Sequence, residues 1–125
     1  MKKIFFKALN FNSNETYGTS ILTANSFFDR LLGLMFKHEM KMPDGSIFDG
    51  LIIEQCNSIH TCFMKFSIDA IFLDNKNRVV KYHKNLKPWR ITPIYLKANK
   101  VLELKSGTIK DPIQIGDRIE IICIN

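Results

Sequence analysis

Residues 56–69 read CNSIHTCFMKFSID. The stretch holds two thiols (Cys56, Cys62), an imidazole (His60), the hydroxyls of Ser58 and Thr61, an ammonium (Lys65) and a carboxylate (Asp69). If 56–66 is extended, the two-residue period puts Cys56, Ser58, His60, Cys62 and Met64 on one face. A Cys-x-x-x-His-x-Cys array then offers three soft ligands. Structural zinc takes four, commonly in paired spacings, and Cys123 would serve only from a strand laid beside this one. No metal is therefore assigned, and Cys56 and Cys62 read as small buried hydrophobes. A cysteine nucleophile needs a base in hydrogen-bond reach and a group that orients the base. Cys56 or Cys62, His60 and Asp69 supply those types, so a small hydrolase or transferase is the enzymatic alternative. Neighbours two apart on one strand stand parallel and do not converge, so no catalytic residue and no cofactor is assigned. His60 on its plainer reading is bonded to backbone at a strand end.

Asp69 is the more unusual residue. In SIDAIFLD the alternation sets Ile68, Ala70 and Phe72 on one face and Asp69, Ile71 and Leu73 on the other. A carboxylate on an apolar face must be paired or hydrogen-bonded. Arg30 is the candidate partner, in a structural clasp. The functional reading places Arg30, His60, Thr61 and Asp69 around a small polar ligand.

The net charge is +6, unevenly spread. Residues 76–100 hold eight Lys or Arg and no Asp or Glu; the remainder holds ten basic and twelve acidic residues. The basic segment also carries Tyr82, Trp89 and Tyr95. Lys81, Lys84, Lys87, Trp89 and Arg90 are the candidate polyanion contacts, since a basic strip with interleaved aromatics suits a nucleic acid. The plainer reading, which we favour, is a solvated sheet edge whose lysines discourage edge pairing.

The elements that must position these residues are mostly strands. KIFFKAL, YGTSILTA, IFDGLIIE, TCFMKFSIDAIFLD, RVVKYH, IYLKANKVLEL and DRIEIICI carry β-prone or alternating patterns. NSFFDRLLGLMF (25–36) carries the one helix, with Asn25 or Ser26 as cap and Phe27, Phe28, Leu31, Leu34 and Met35 at helical spacing. KMPDGS and DNKN are turns, LKPWRITP a proline-bounded loop, and Gly107 and Gly116 mark turns in the connector before the last strand. At 125 residues and 46% hydrophobic, the chain is read as a single domain spanning 1–125, with a core that needs neither disulfide nor metal. The fold class is α+β, mostly antiparallel, a curled sheet or small barrel with one short helix. No apolar run reaches the roughly 20 residues of a membrane span. Lys7 interrupts the early apolar patch, which argues against a secretory leader. The expected location is cytoplasmic, with thiols reduced.

The pieces DRLLGLMF (29–36), SIHTCFMKFSIDAIFLD (58–74), RVVK (78–81), ANKVLELKSGTI (98–109) and IQIGDRIEI (113–121) occur in an order that resembles the bacterial and archaeal family called domain of unknown function 192. The commoner family form reads Trp-Met-Lys-Asn-Thr before a Leu-Asp pair. Here Phe63 stands for the tryptophan, the Asn-Thr is missing and Ile68 precedes Asp69, as in a variant branch. The resemblance implies a fold and no reaction. The function expected is a small binding or accessory module with a polar pocket near His60 and Asp69. Its expected partner is a small polar ligand or another protein, with nucleic acid as the alternative and no membrane.

Overall fold

The computed structural model describes residues 4–24, 34–35, 37–42, 44–110 and 112–124. Within them lie seven strands: β1 (Phe6–Asn10), β2 (Thr16–Ala24), β3 (Gly50–Glu54), β4 (Ile68–Leu73), β5 (Val79–Leu86), β6 (Lys100–Lys105) and β7 (Ile119–Cys123). They form one sheet in the order β5-β4-β6-β3-β2-β1-β7. Every pairing is antiparallel except β2 with β3.

The sheet curls. β5 and β7 are its two edges, yet Arg78 bridges Arg118, and Val79 N donates to Asp117 O at 2.8 Å. One buried cluster draws on all seven strands: Ala8, Tyr17 and Ile21, Ile52, Ile71 and Leu73, Val79, Leu102 and Leu104, and Ile119. Flat strands about 4.8 Å apart would hold their edges too far apart to share a core. This cluster therefore lines the inside of a half-barrel. The opposite face packs Leu22, Leu51, Ile53, Ile68, Ala70, Phe72 and Val101 against Leu34, Met40, Met42 and Phe48 from the β2–β3 connection, with Ile59 and Met64. Ile68, Ala70 and Phe72 lie in one cluster and Ile71 and Leu73 in the other, as the alternation predicts.

The strand expected over 94–104 pairs only from Lys100 onward, and the stretch before it is a turn closed by Ala98 N to Tyr95 O at 2.9 Å. The helix expected over 25–36 lies outside the described residues apart from Leu34 and Met35, which stand in a turn. The long strand expected over 61–74 is shorter: only Ile68–Leu73 pairs. Residues 61–64 instead make a turn closed by Met64 N to Thr61 O at 3.2 Å. The single face proposed for Cys56, Ser58, His60, Cys62 and Met64 is thereby broken: Met64 is buried and His60 exposed.

Candidate functional site

Segment 57–64 folds alongside the loop 87–95. Thr61 N donates to Arg90 O at 2.8 Å, Trp89 N to Thr61 O at 3.1 Å, Thr92 N to Ile59 O at 2.9 Å and Tyr95 N to Asn57 O at 2.9 Å. The threonines lock the pair from within. The Thr61 hydroxyl donates to Lys87 O at 2.6 Å and accepts from Arg90 N at 2.8 Å. Thr92 Oγ1 accepts from Ile59 N at 3.0 Å. Both hydroxyls are buried, where an unsatisfied polar group would be costly. Tyr95 anchors the far end: its ring meets Phe72 edge-on at 4.7 Å and its hydroxyl lies 2.9 Å from His83 Nε2. Burial and the Lys81 charge hold the His83 imidazole below its ordinary range.

The outward side of this loop pair is apolar. Phe63 is 45% exposed, Trp89 60%, Ile91 77%, Ile94 65% and Leu96 88%. The Phe63 and Trp89 rings touch, with centroids 4.8 Å apart and planes at 59°. Both residues are left-handed, with φ of 66° and 63°. A bulky side chain in that region costs roughly 1–2 kcal/mol, and the turn position taken by Phe63 ordinarily favours glycine. The hydrogen bonds to Thr61 hold both residues in that conformation. The two loops and the adjoining end of β5 also carry the exposed cations Lys65, Lys84, Lys87, Arg90 and Lys97, and neither 55–68 nor 75–100 contains an acidic residue.

The residues singled out in the sequence are dispersed. Asp69 is fully buried; its Oδ1 accepts from Asn85 N at 2.8 Å and its Oδ2 from Ile109 N at 2.9 Å. The β4–β5 ladder slips between Ile68 and Ala70, and this carboxylate satisfies an amide of the irregular strand. Arg30 lies outside the described residues. His60 is exposed, bridges Ile91, and its Nδ1 accepts from Cys62 N at 3.2 Å. Among the described residues no hydrogen bond joins His60 or Thr61 to Asp69. All three cysteines are thiols, and Cys56 Sγ lies 3.1 Å from Ser58 O. Cys123 sits on β7, at the sheet edge opposite β5, and no cluster of three metal-ligating side chains occurs among the described residues. Lys81 and Lys84 are exposed on the edge strand β5.

Phe63, Ile91, Ile94 and Leu96 escape a reading from residue chemistry, because an isolated apolar residue carries no functional signature. For Ile91, Ile94 and Leu96 the available signal was their density beside Pro88 and Pro93; for Phe63 there was none. Glu103 escapes as well. Val101, Glu103 and Lys105 alternate with Leu102 and Leu104, which by itself suggests a solvated face. β6 is a central strand, however, and Glu103 sits in register between Leu51 and Ala70, both in the core. Burial pushes its carboxyl up to about 8. Beyond the end of β6 a cleft of about 250 Å³ is lined by His38, Glu39, Met40, Phe66, Ser67 and Lys105.

A curled, mostly antiparallel half-barrel with paired loops over one face defines the class. The model of the DUF192 family, described as an uncharacterized ACR, matches residues 9–121, and the chain belongs to that family. A UPF0127 protein of Pyrococcus horikoshii is 38% identical over 115 residues, covering 90% of this chain and 96% of its own. A UPF0127 protein of Pyrococcus furiosus is 32% identical over 114 residues, with 90% and 95% covered. Two solved structures share the fold. One, described as a "putative transcription regulator" from Sinorhizobium meliloti, superposes with a TM-score of 0.75 at 23% identity over 96% of this chain and 94% of that one. The other, a protein of unknown function from Novosphingobium aromaticivorans, gives 0.67 at 19% identity, covering 92% and 82%.

Proposed function

We propose that the chain is a binding module whose contact surface, the tip, is the exposed apolar side of the paired loops, running from the Phe63–Trp89 pair along to Leu96. The observation that carries this is the Phe63–Trp89 pair: two bulky residues, each strained at positive φ, are held rigidly with their rings outward. Strain maintained by surrounding structure at an exposed site is a mark of function, and clustered exposed apolar groups mark interaction sites. The tip displaces the polar pocket expected near His60 and Asp69, because Thr61 and Asp69 commit their polar atoms to backbone partners. It takes in Trp89, Lys87 and Arg90 from the basic segment, with His60 at its rim.

The test is stability. A variant carrying Phe63→Asn, Trp89→Asn, Ile94→Ser and Leu96→Ser should melt within a few degrees of the parent. Asparagine tolerates positive φ, so relief of strain offsets the lost ring contact. Collapse of the variant would make the tip structural and end this reading.

A further inference from the structure

Resting on that reading, we infer that the occupant of the tip is the surface of an anionic lipid bilayer. Single-stranded nucleic acid would use the two aromatic rings and the cations, because bases stack on rings. It has no use for Ile91, Ile94 and Leu96, the three most exposed of the five apolar side chains. Aliphatic groups gain from hydrocarbon, a tryptophan suits the headgroup boundary, and flanking lysines and arginines suit an anionic leaflet. The tip combines all three, and the acid-free segments 55–68 and 75–100 complement negative charge.

The hydrogen bonds of Thr61, Met64, Trp89, Arg90, Thr92 and Tyr95 fix the shape of the loop pair. Among the described residues no hydrogen bond reaches the amides of Ile91, Ile94 and Leu96, which limits docking to the hydrated headgroup depth. The sequence reading without a membrane rested on the lack of a spanning run, and shallow docking requires none. Likewise, no helix among the described residues is long and apolar enough to cross a membrane.

Trp89 is the only tryptophan of the chain, so its emission reports on the tip alone. With phosphatidylcholine vesicles containing phosphatidylserine, its emission should shift to the blue and be quenched by lipids brominated on their acyl chains. Partitioning should weaken about fivefold for Lys87→Gln, from the worth of one cation at a charged leaflet. It should weaken roughly tenfold for Leu96→Ser, from the lost apolar burial. Vesicles of phosphatidylcholine alone should bind far more weakly. An unchanged spectrum with the anionic vesicles would overturn the inference. So would binding indifferent to Leu96→Ser, which would be simple charge adsorption. A response to oligo-dT at concentrations where vesicles give none would also overturn it, making nucleic acid the occupant while leaving the tip as the binding surface. Failure with vesicles alone leaves the tip standing as a binding surface, whereas unfolding of its polar variant removes it.

Discussion

Asp69→Ala is expected to destabilise the fold by roughly 3–5 kcal/mol. Both carboxylate oxygens accept backbone amides, from Asn85 and Ile109. Removing the side chain strands two donors, each worth about 1–3 kcal/mol where the acceptor is charged. The loss is large against the roughly 5–15 kcal/mol that holds a domain of this size. Asp69→Asn should cost about half as much, because its amide offers one acceptor oxygen where the carboxylate offers two. Urea denaturation measures both, and amide exchange at Asn85 and Ile109 should quicken in the alanine variant. An Asp69→Ala protein as stable as the parent would show that the carboxylate does not tie β4 to these two segments.

The second large effect is on pH dependence. Burial lifts the Glu103 carboxyl to about 8 from an ordinary 4.5. Below pH 4.5 both folded and unfolded chains hold the proton, and Glu103 costs nothing. Between pH 4.5 and about 8 the unfolded chain gives up its proton while the folded one keeps it, so stability falls as pH rises and levels off above the folded value. The full separation is worth on the order of 5 kcal/mol. Glu103→Gln keeps the shape and removes the titration. It should match the parent near pH 4.5 and exceed it by several kcal/mol at pH 9. Melting both proteins across that range decides the matter: parallel curves would mean that Glu103 is ionised, and paired, in the folded state.

Much of the fold was legible because strand alternation reports directly on which face is buried. The split of β4 between two cores follows from the two-residue period of SIDAIFL. The turns at Gly45, Gly107 and Gly116 follow from positive φ that glycine adopts without strain. The bend at 61–64 was not legible, because TCFMKFSIDAIFLD keeps β-prone residues across it and Phe63 occupies a conformation its side chain disfavours. The candidate residues His60, Thr61 and Asp69 do not converge for a related reason. Reactive side chains draw attention, yet the Thr61 hydroxyl and Asp69 carboxylate are consumed in holding backbone. Exposure is a tertiary property. Nothing in PWRITPIYLK says that Trp89, Ile91, Ile94 and Leu96 face outward until Thr92 and Tyr95 are seen tied to Ile59 and Asn57.

The most direct measurement of the central claim is amide hydrogen exchange of the intact chain, with and without phosphatidylserine-containing vesicles. At vesicle concentrations that bind most of the chain, exchange reports which segments the partner covers. Added protection is expected within 57–64 and 87–97, with β1, β2 and β7 unchanged. Protection confined to other surfaces, such as the cleft between His38 and Lys105, would contradict the assignment of the aromatic tip as the binding surface.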